Sequence, residues 1–260
     1  MHSTEGAIAP FHPKPNSHNR LPIPLQDAIA LHPFRYTGAI PYGQFVMVTL
    51  QLRQLVVYPG QRIQLKDVNW DEFEAILAEL GDKRACRIAY SDGVLEIRMP
   101  LPEHEVDKEL IGDMVKILLE ELDIDNECFG STTFKRQDVA KGIEPDQCFY
   151  IENHAAMIGK RRIELTVDPP PDLAIEVDVT SKTGLDAYLA LGVPELWRFE
   201  EGRLRISLLQ NGQYQDANFS AHFPQFPIIE GVSQFLDCAQ IEGRSQTLKA
   251  FRQWVREGMV

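Results

Sequence analysis

The sequence is poor in the features that would tie it to a membrane, a zinc site or a disulfide scaffold. No apolar run approaches the ~18 residues that span a bilayer, and the amino terminus lacks the basic-then-apolar order of a signal peptide. Only four cysteines occur, Cys86, Cys128, Cys148 and Cys238, far apart and without a CxxC pair. That excludes a zinc knuckle or a compact disulfide framework and reads as small core residues in a reducing compartment. A cytoplasmic protein with no membrane segment is expected. Basic residues are also short: 26 Lys and Arg face 38 Asp and Glu, a formal charge of −12. Tight non-specific binding of nucleic acid over the whole surface is excluded, because it needs many Lys and Arg contacts to phosphate. A metal-dependent phosphodiesterase is not excluded, since it gathers carboxylates around its ions and needs only a local basic face such as Lys160-Arg161-Arg162. That trio also reads as a solvated turn or loop. No internal repeat or low-complexity tract is present.

What the chain does have is ordinary globular composition, 44% hydrophobic and 25% charged over 260 residues, enough for one sizeable core. The first 46 residues stand apart. Pro10, Pro13, Pro15, Pro22, Pro24, Pro33 and Pro41 interrupt every short apolar run, so no element of normal length fits there. Residues 1–46 are read as a Pro-rich mobile extension and residues 47–260 as the folded domain with a C-terminal helix. Either the extension is a true arm, or the biological start lies at Met47, where a denser apolar pattern begins.

From Asn69 the signals become regular. Asn69 and Glu72 form a capping-box pattern before Phe73, Ile76, Leu77 and Leu80. Ser91-Asp92-Gly93 separates two alternating runs, a hairpin cue. A long helix is predicted from Glu103 to Leu122, with His104, Glu105, Lys108 and Glu109 near its start. Strands are predicted around Cys128–Phe134, Gln147–Ile151, Leu173–Thr180, Leu196–Glu200 and Leu204–Leu209. Helices are predicted over Leu185–Leu191 and Ser245–Glu257. That order implies an α/β or α+β fold, a mixed sheet covered by helices.

Two acidic clusters abut apolar runs that read as buried strands: Glu144-Pro145-Asp146 and, within Asp172 to Asp178, Glu176. A buried ionised carboxylate costs several kcal/mol unless paired, hydrogen-bonded or metal-bound. Two such clusters on neighbouring core strands suggest a divalent cation between them. With no matching His/Cys set, the hard ions Mg²⁺ or Mn²⁺ fit. Strand-end caps or surface carboxylates are the structural alternative. Trp197 and Tyr188 read as core aromatics, and His104 as a packing or capping residue rather than a base.

Pro145-Asp146, the stretch Pro171-Asp172-Leu173-Ala174-Ile175-Glu176-Val177-Asp178-Val179-Thr180-Ser181, and Tyr188 through Arg198 together resemble the Uma family of restriction-endonuclease-like proteins, within the PD-(D/E)XK nuclease superfamily. The similarity runs from about Val48 to about Leu209 and is strongest from Asp172 to Arg198. It implies a mixed central sheet flanked by helices, with active-site carboxylates on two adjacent strands. It makes Asp146 and Glu176 the catalytic Mg²⁺ ligands, the Val177 carbonyl a further ligand, and Glu105 the acidic helix residue that some members use, with Glu109 its competitor. The superfamily pattern wants Lys two residues after the second acid, where this chain has Asp178. Lys182 is the nearest candidate to replace it, the alternative being an exposed loop lysine. Asp178, Asp172 and His104 are accessory candidates.

The resemblance implies metal-assisted hydrolysis of DNA, and a homodimer, because cutting two strands suits two active sites. Asp178 in place of lysine keeps a second reading open, a catalytically weakened nuclease-fold protein that binds nucleic acid or a protein partner. A third is an unrelated α/β protein whose acids are structural.

Overall fold

The Asn69 capping box, the Asp-Gly turn and the apolar alternation predicted above each organise one part of the computed structural model, which describes residues 51–82, 84–177 and 181–259. Residues 1–46, the boundary drawn at residue 47 and Asp178 lie outside the described residues.

After β1 (Arg62–Leu65), helix α1 (Trp70–Leu80) starts where predicted. The Asn69 side chain accepts from Glu72 N, and the Glu72 carboxylate accepts from Asn69 N. Both satisfy amides that the helix itself leaves free. Strands β2 (Arg87–Ser91) and β3 (Val94–Arg98) form the expected hairpin. Asp92 and Gly93 both adopt positive φ, 48° and 83°, the backbone of a tight two-residue turn whose twist matches the strands. Helix α2 (Pro102–Glu121) begins on Pro102, whose missing amide costs nothing in the first turn.

The run predicted as one strand, Cys128–Phe134, is two. Strand β4 (Glu127–Cys128) joins one sheet and β5 (Phe134–Arg136) another, with Gly130 turning the chain between them at φ 58°. There follow β6 (Lys141–Ile143), β7 (Gln147–Tyr150), the single-turn α3 (His154–Met157), β8 (Leu173–Val177), α4 (Lys182–Leu191), β9 (Glu195–Glu200), β10 (Arg203–Gln210), β11 (Gln213–Ala217), α5 (Ile228–Glu242) and α6 (Arg244–Glu257). Strands β1, β6 and β11 and helices α3 and α5 were not predicted.

The strands divide into two sheets. The larger, ordered β11-β10-β9-β8-β7-β4, is mixed: β8 and β9 run parallel and every other pair antiparallel. The smaller, β1-β3-β2-β6-β5, is wholly antiparallel. The fold is therefore a mixed α/β architecture of helix-flanked sheets, with one sheet more than the sequence reading supplied.

Alternation along β8 decides which layer each side chain meets. Leu173, Ile175 and Val177 join a core with Met114, Leu118, Phe235 and Phe251, so α2, α5 and α6 cover that face of the larger sheet. Ala174 joins Cys148, Leu196, Tyr188 and Leu191, together with Ala89 and Ile143 of the smaller sheet. Helix α4, the crossover between the parallel pair, is thus packed between the two sheets. Because β8 is covered on both faces, all five of its residues are buried, as expected for a central strand. Helix α1 closes the far side of the smaller sheet, with Phe73 stacked on Tyr90 at 4.4 Å and nearly parallel. Among the described residues no helix is long and apolar enough to cross a membrane.

Gly142, opposite Tyr90 in the smaller sheet, leaves the room that Phe73 occupies: a Cβ there would lie 2.7 Å from Phe73 Cζ. Gly142→Ala is therefore expected to destabilise the protein by about 1–3 kcal/mol through overpacking. Urea unfolding checks this, and unchanged stability would show that Phe73 has another place to go.

Candidate active site

The antiparallel register of β7 and β8 pairs Gln147 with Ile175, and its continuation by one step sets Asp146 across from Glu176. The Asp146 amide donates to the Ile175 carbonyl at 3.1 Å, so the pairing does extend to Asp146. Both carboxylates are deeply buried, with 4% and 1% of their surface exposed. Asp146 Oδ2 accepts from the Val177 amide at 2.9 Å. Glu176 Oε1 accepts from the Tyr188 hydroxyl at 2.5 Å. Glu176 Oε2 has no hydrogen-bond partner.

The positive group between them comes from the other sheet. Arg98, the last residue of β3, places Nη2 at 3.4 Å from Asp146 Oδ2 and 3.5 Å from Glu176 Oε2, while Nη1 donates to the Val177 carbonyl at 2.8 Å. Arg87, cross-strand from Arg98, sets Nε 3.4 Å from Asp146 Oδ1 and Nη2 3.6 Å from Glu105. Lys108, itself buried, closes on Glu105 at 2.6 Å and lies 3.9 Å from Glu109. Acidic and basic side chains therefore alternate from Glu176 through Arg98, Asp146, Arg87 and Glu105 to Lys108. A cavity of about 20 Å³, large enough for about one water, is lined by Arg87, Arg98, Glu96, Glu144, Glu176 and Ser181 among others.

Asp146, Glu176, the Val177 carbonyl and, through Arg87, Glu105 are thus gathered in one place. Glu109 instead accepts from the Gln147 side chain at 3.4 Å. Asp172 is at the opposite end of β8, where it accepts from the Ile151 and Asn153 amides and from the Asn153 side chain. His104 is half-buried in the first turn of α2, and Lys182 is exposed as the first residue of α4, after the Ser181 cap. Glu144, of the first acidic cluster, pairs with Arg84 and accepts from Thr133 and the Ile88 amide, tying the turn before β7 to the smaller sheet. The Lys160-Arg161-Arg162 stretch is an exposed loop, with Lys160 paired to Asp168.

Tyr188 and Trp197 are core aromatics, as read, and each also makes a polar contact. The Tyr188 hydroxyl donates to Glu176. Trp197 likewise donates from Nε1 to buried Glu195 at 2.5 Å. Arg98 and Arg87 carry no role in the sequence reading, and Lys108 is noted there only at the start of the long helix. For the arginines a signal existed: Glu96 and Arg98 share one face of a strand whose other face is apolar, which reads as solvent-facing until α4 is packed on it. Among the described residues no group of three or more His, Cys, Asp or Glu side chains is gathered as a metal cluster.

A model of the family described as "Uma2: Putative restriction endonuclease" matches residues 70–238, well over half of the chain. The chain belongs to the Uma2 family. Its matched span contains Asp146, Glu176, Arg98 and Tyr188, and so the whole charge chain described above. Among solved structures, the crystal structure of a "putative nuclease belonging to DUF820" from Anabaena variabilis ATCC 29413 is similar, at 16% identity and a TM-score of 0.38, over 65% of this Uma2 chain and 90% of that one. No curated protein matches.

Burial, and then the nearby Asp146 carboxylate, push the Glu176 carboxyl well above its ordinary value of 4.5, against the opposing pull of Arg98. Burial works against the Arg98 cation too, but Glu176 and Asp146 outweigh it and hold the guanidinium firmly charged. A raised folded-state value means that the protonated carboxyl contributes stability that is fully present below pH 4.5 and is lost as pH rises through the folded value. Glu176→Gln keeps an acceptor for Tyr188 and cannot ionise. In EDTA it is expected to melt with the parent protein at pH 4, and at least ~3 °C above it at pH 8, roughly 1 kcal/mol for a chain of this size. Thermal melts across that range check this, and an equal fall of both proteins with pH would place the titrating group elsewhere.

Proposed function

We propose that this Uma2 chain is a Mg²⁺- or Mn²⁺-dependent endonuclease that hydrolyses DNA phosphodiester bonds, with Asp146 and Glu176 as its central ligands. The observation that carries the reading is that three oxygens, from Asp146, Glu176 and the Val177 carbonyl, face the guanidinium of one side chain, Arg98, with Glu176 Oε2 buried and unbonded. Hard oxygens gathered around positive charge are the donor set that Mg²⁺ and Mn²⁺ take, and Glu105 supplies a further carboxylate at the rim. When bound, such an ion lowers the pKa of a coordinated water and offsets charge on the scissile phosphate.

The chain's own groups do the positioning. The Val177 amide fixes Asp146, and Tyr188 fixes Glu176, so neither carboxylate must reorganise when a cation approaches. Arg87 and Arg98, beside the carboxylates, would balance negative charge on a phosphodiester. Lys182, at the start of the helix that carries Tyr188, is the proposed replacement for the motif lysine and would orient the attacking water. A homodimer would give each DNA strand its own site.

A second reading, a weakened nuclease that binds nucleic acid or a protein partner without cutting, is favoured by Asp178 at the lysine position. Incubation of plasmid DNA with the purified protein in millimolar Mg²⁺ or Mn²⁺ separates the two. The nuclease reading expects nicked or linear product, its loss in Asp146→Asn/Glu176→Gln, and loss in the same double variant of any metal-induced rise in melting temperature. A metal response that survives the double substitution would move the site elsewhere. Lys182→Ala is expected to cut at least ~10²-fold more slowly while keeping that metal response, as for loss of a positioned acid, base or electrostatic group. Parent-like cleavage by Lys182→Ala would remove Lys182 from the reaction.

A further inference from the structure

One side chain meets all three oxygens that the proposed ion would use. Arg98 reaches Asp146, Glu176 and the Val177 carbonyl together. We propose that Arg98 is the exchangeable cation of this site: it holds the ion's position until a divalent cation displaces it, and the freed guanidinium then binds a phosphate oxygen of the substrate. The inference rests on the reading of Asp146 and Glu176 as metal ligands.

The geometry favours exchange over a permanent ion pair. Charge-assisted bonds between guanidinium and carboxylate close to about 2.7–2.9 Å, whereas both carboxylate contacts of Arg98 are 3.4–3.5 Å. Only the bond to the neutral Val177 carbonyl is short, at 2.8 Å. Nη2 lies 3.4–3.5 Å from both carboxylates without closing on either, and Glu176 Oε2 remains buried without a hydrogen bond. Asp146, Glu176 and the Val177 carbonyl would hold a divalent cation, whose charge would balance the two carboxylates and leave Arg98 without a counter-charge.

Two further arginines lie beside Arg98 in the smaller sheet. Arg62, Arg98 and Arg87 are directly opposed across β1, β3 and β2, so they share one face of the smaller sheet, and Arg62 is exposed. This row runs from the surface to the carboxylates in a chain whose net charge is −12. A row of arginines leading to the carboxylates fits the backbone of a nucleic acid.

The test measures Mn²⁺ binding to the full chain by calorimetry without DNA, and duplex binding by fluorescence anisotropy in EDTA and in Ca²⁺, for the parent, Arg98→Met and Arg98→Lys. Occupancy by Arg98 lowers the parent's apparent affinity by the fraction of molecules with the position free. Arg98→Met is therefore expected to bind Mn²⁺ at least ~10-fold more tightly than the parent, with Arg98→Lys between them because it keeps the charge and loses the fork. The duplex arm is expected to go the other way, with Ca²⁺ strengthening duplex binding by the parent and not by Arg98→Met. Tighter metal binding combined with weaker duplex binding in one variant is a signature that general damage to the site does not produce. If the parent binds Mn²⁺ and Arg98→Met binds it no more tightly, exchange is overturned while the metal reading stands. If only Arg98→Met binds, exchange is upheld and the nuclease reading of the native chain falls. If neither binds, both fall. Parent-like duplex binding by Arg98→Met in Ca²⁺ overturns the phosphate role. Should Arg98→Met fail to fold, Arg98→Lys decides, and a parent-like Mn²⁺ affinity there overturns the proposal.

Discussion

Two carboxylates facing each other across a pair of buried strands are an arrangement that a folded protein tolerates only with compensation. Asp146 and Glu176 are compensated from three directions: a backbone amide of the same sheet, a tyrosine hydroxyl from the crossover helix, and a guanidinium from the second sheet. Each comes from a different layer, so the carboxylate pair is the point at which the larger sheet, α4 and the smaller sheet must agree in position. Removing one partner from such a cluster leaves a charge uncompensated in a low-dielectric interior, which costs far more than the same pair is worth at a surface.

The elements that were legible in the sequence are those whose signals are local. The Asn69 box, the Asp92-Gly93 turn and the apolar stripe of α2 each specify their own structure within a few residues, and each formed as read. The strand pair carrying Asp146 and Glu176 was legible for a related reason. Apolar runs ending in acids have few physical explanations, and the family resemblance named the two positions. Asp172 carried the same kind of signal and turned out to bind backbone amides at the far end of β8. An acid at a strand end reads the same whether it caps a loop or serves a site.

What was not legible depends on which layer lies against which. The division of the Cys128–Phe134 run between two sheets hinges on one glycine. The polar face of the β2–β3 hairpin would be solvated if the hairpin stood alone. Only after α4 and the larger sheet are laid on it do Arg87 and Arg98 become interior groups with carboxylate partners. Tyr188 lies in an apolar helix segment, and nothing in its spacing distinguishes a buried ring from a buried ring whose hydroxyl has a role.

The division of labour between the two sheets has a thermodynamic consequence. The carboxylates belong to one sheet and the arginine row to the other, so anything that binds the arginines alters the electrostatic potential at the carboxylates without touching them. Occupancy of the carboxylates alters the arginines in the same way. Coupling of this kind is reciprocal by necessity, each ligand shifting the other's affinity by the same factor. The charge alternation from Glu176 to Lys108 would then act as a linkage relay, with the stiffness of the contact between the two sheets setting its gain.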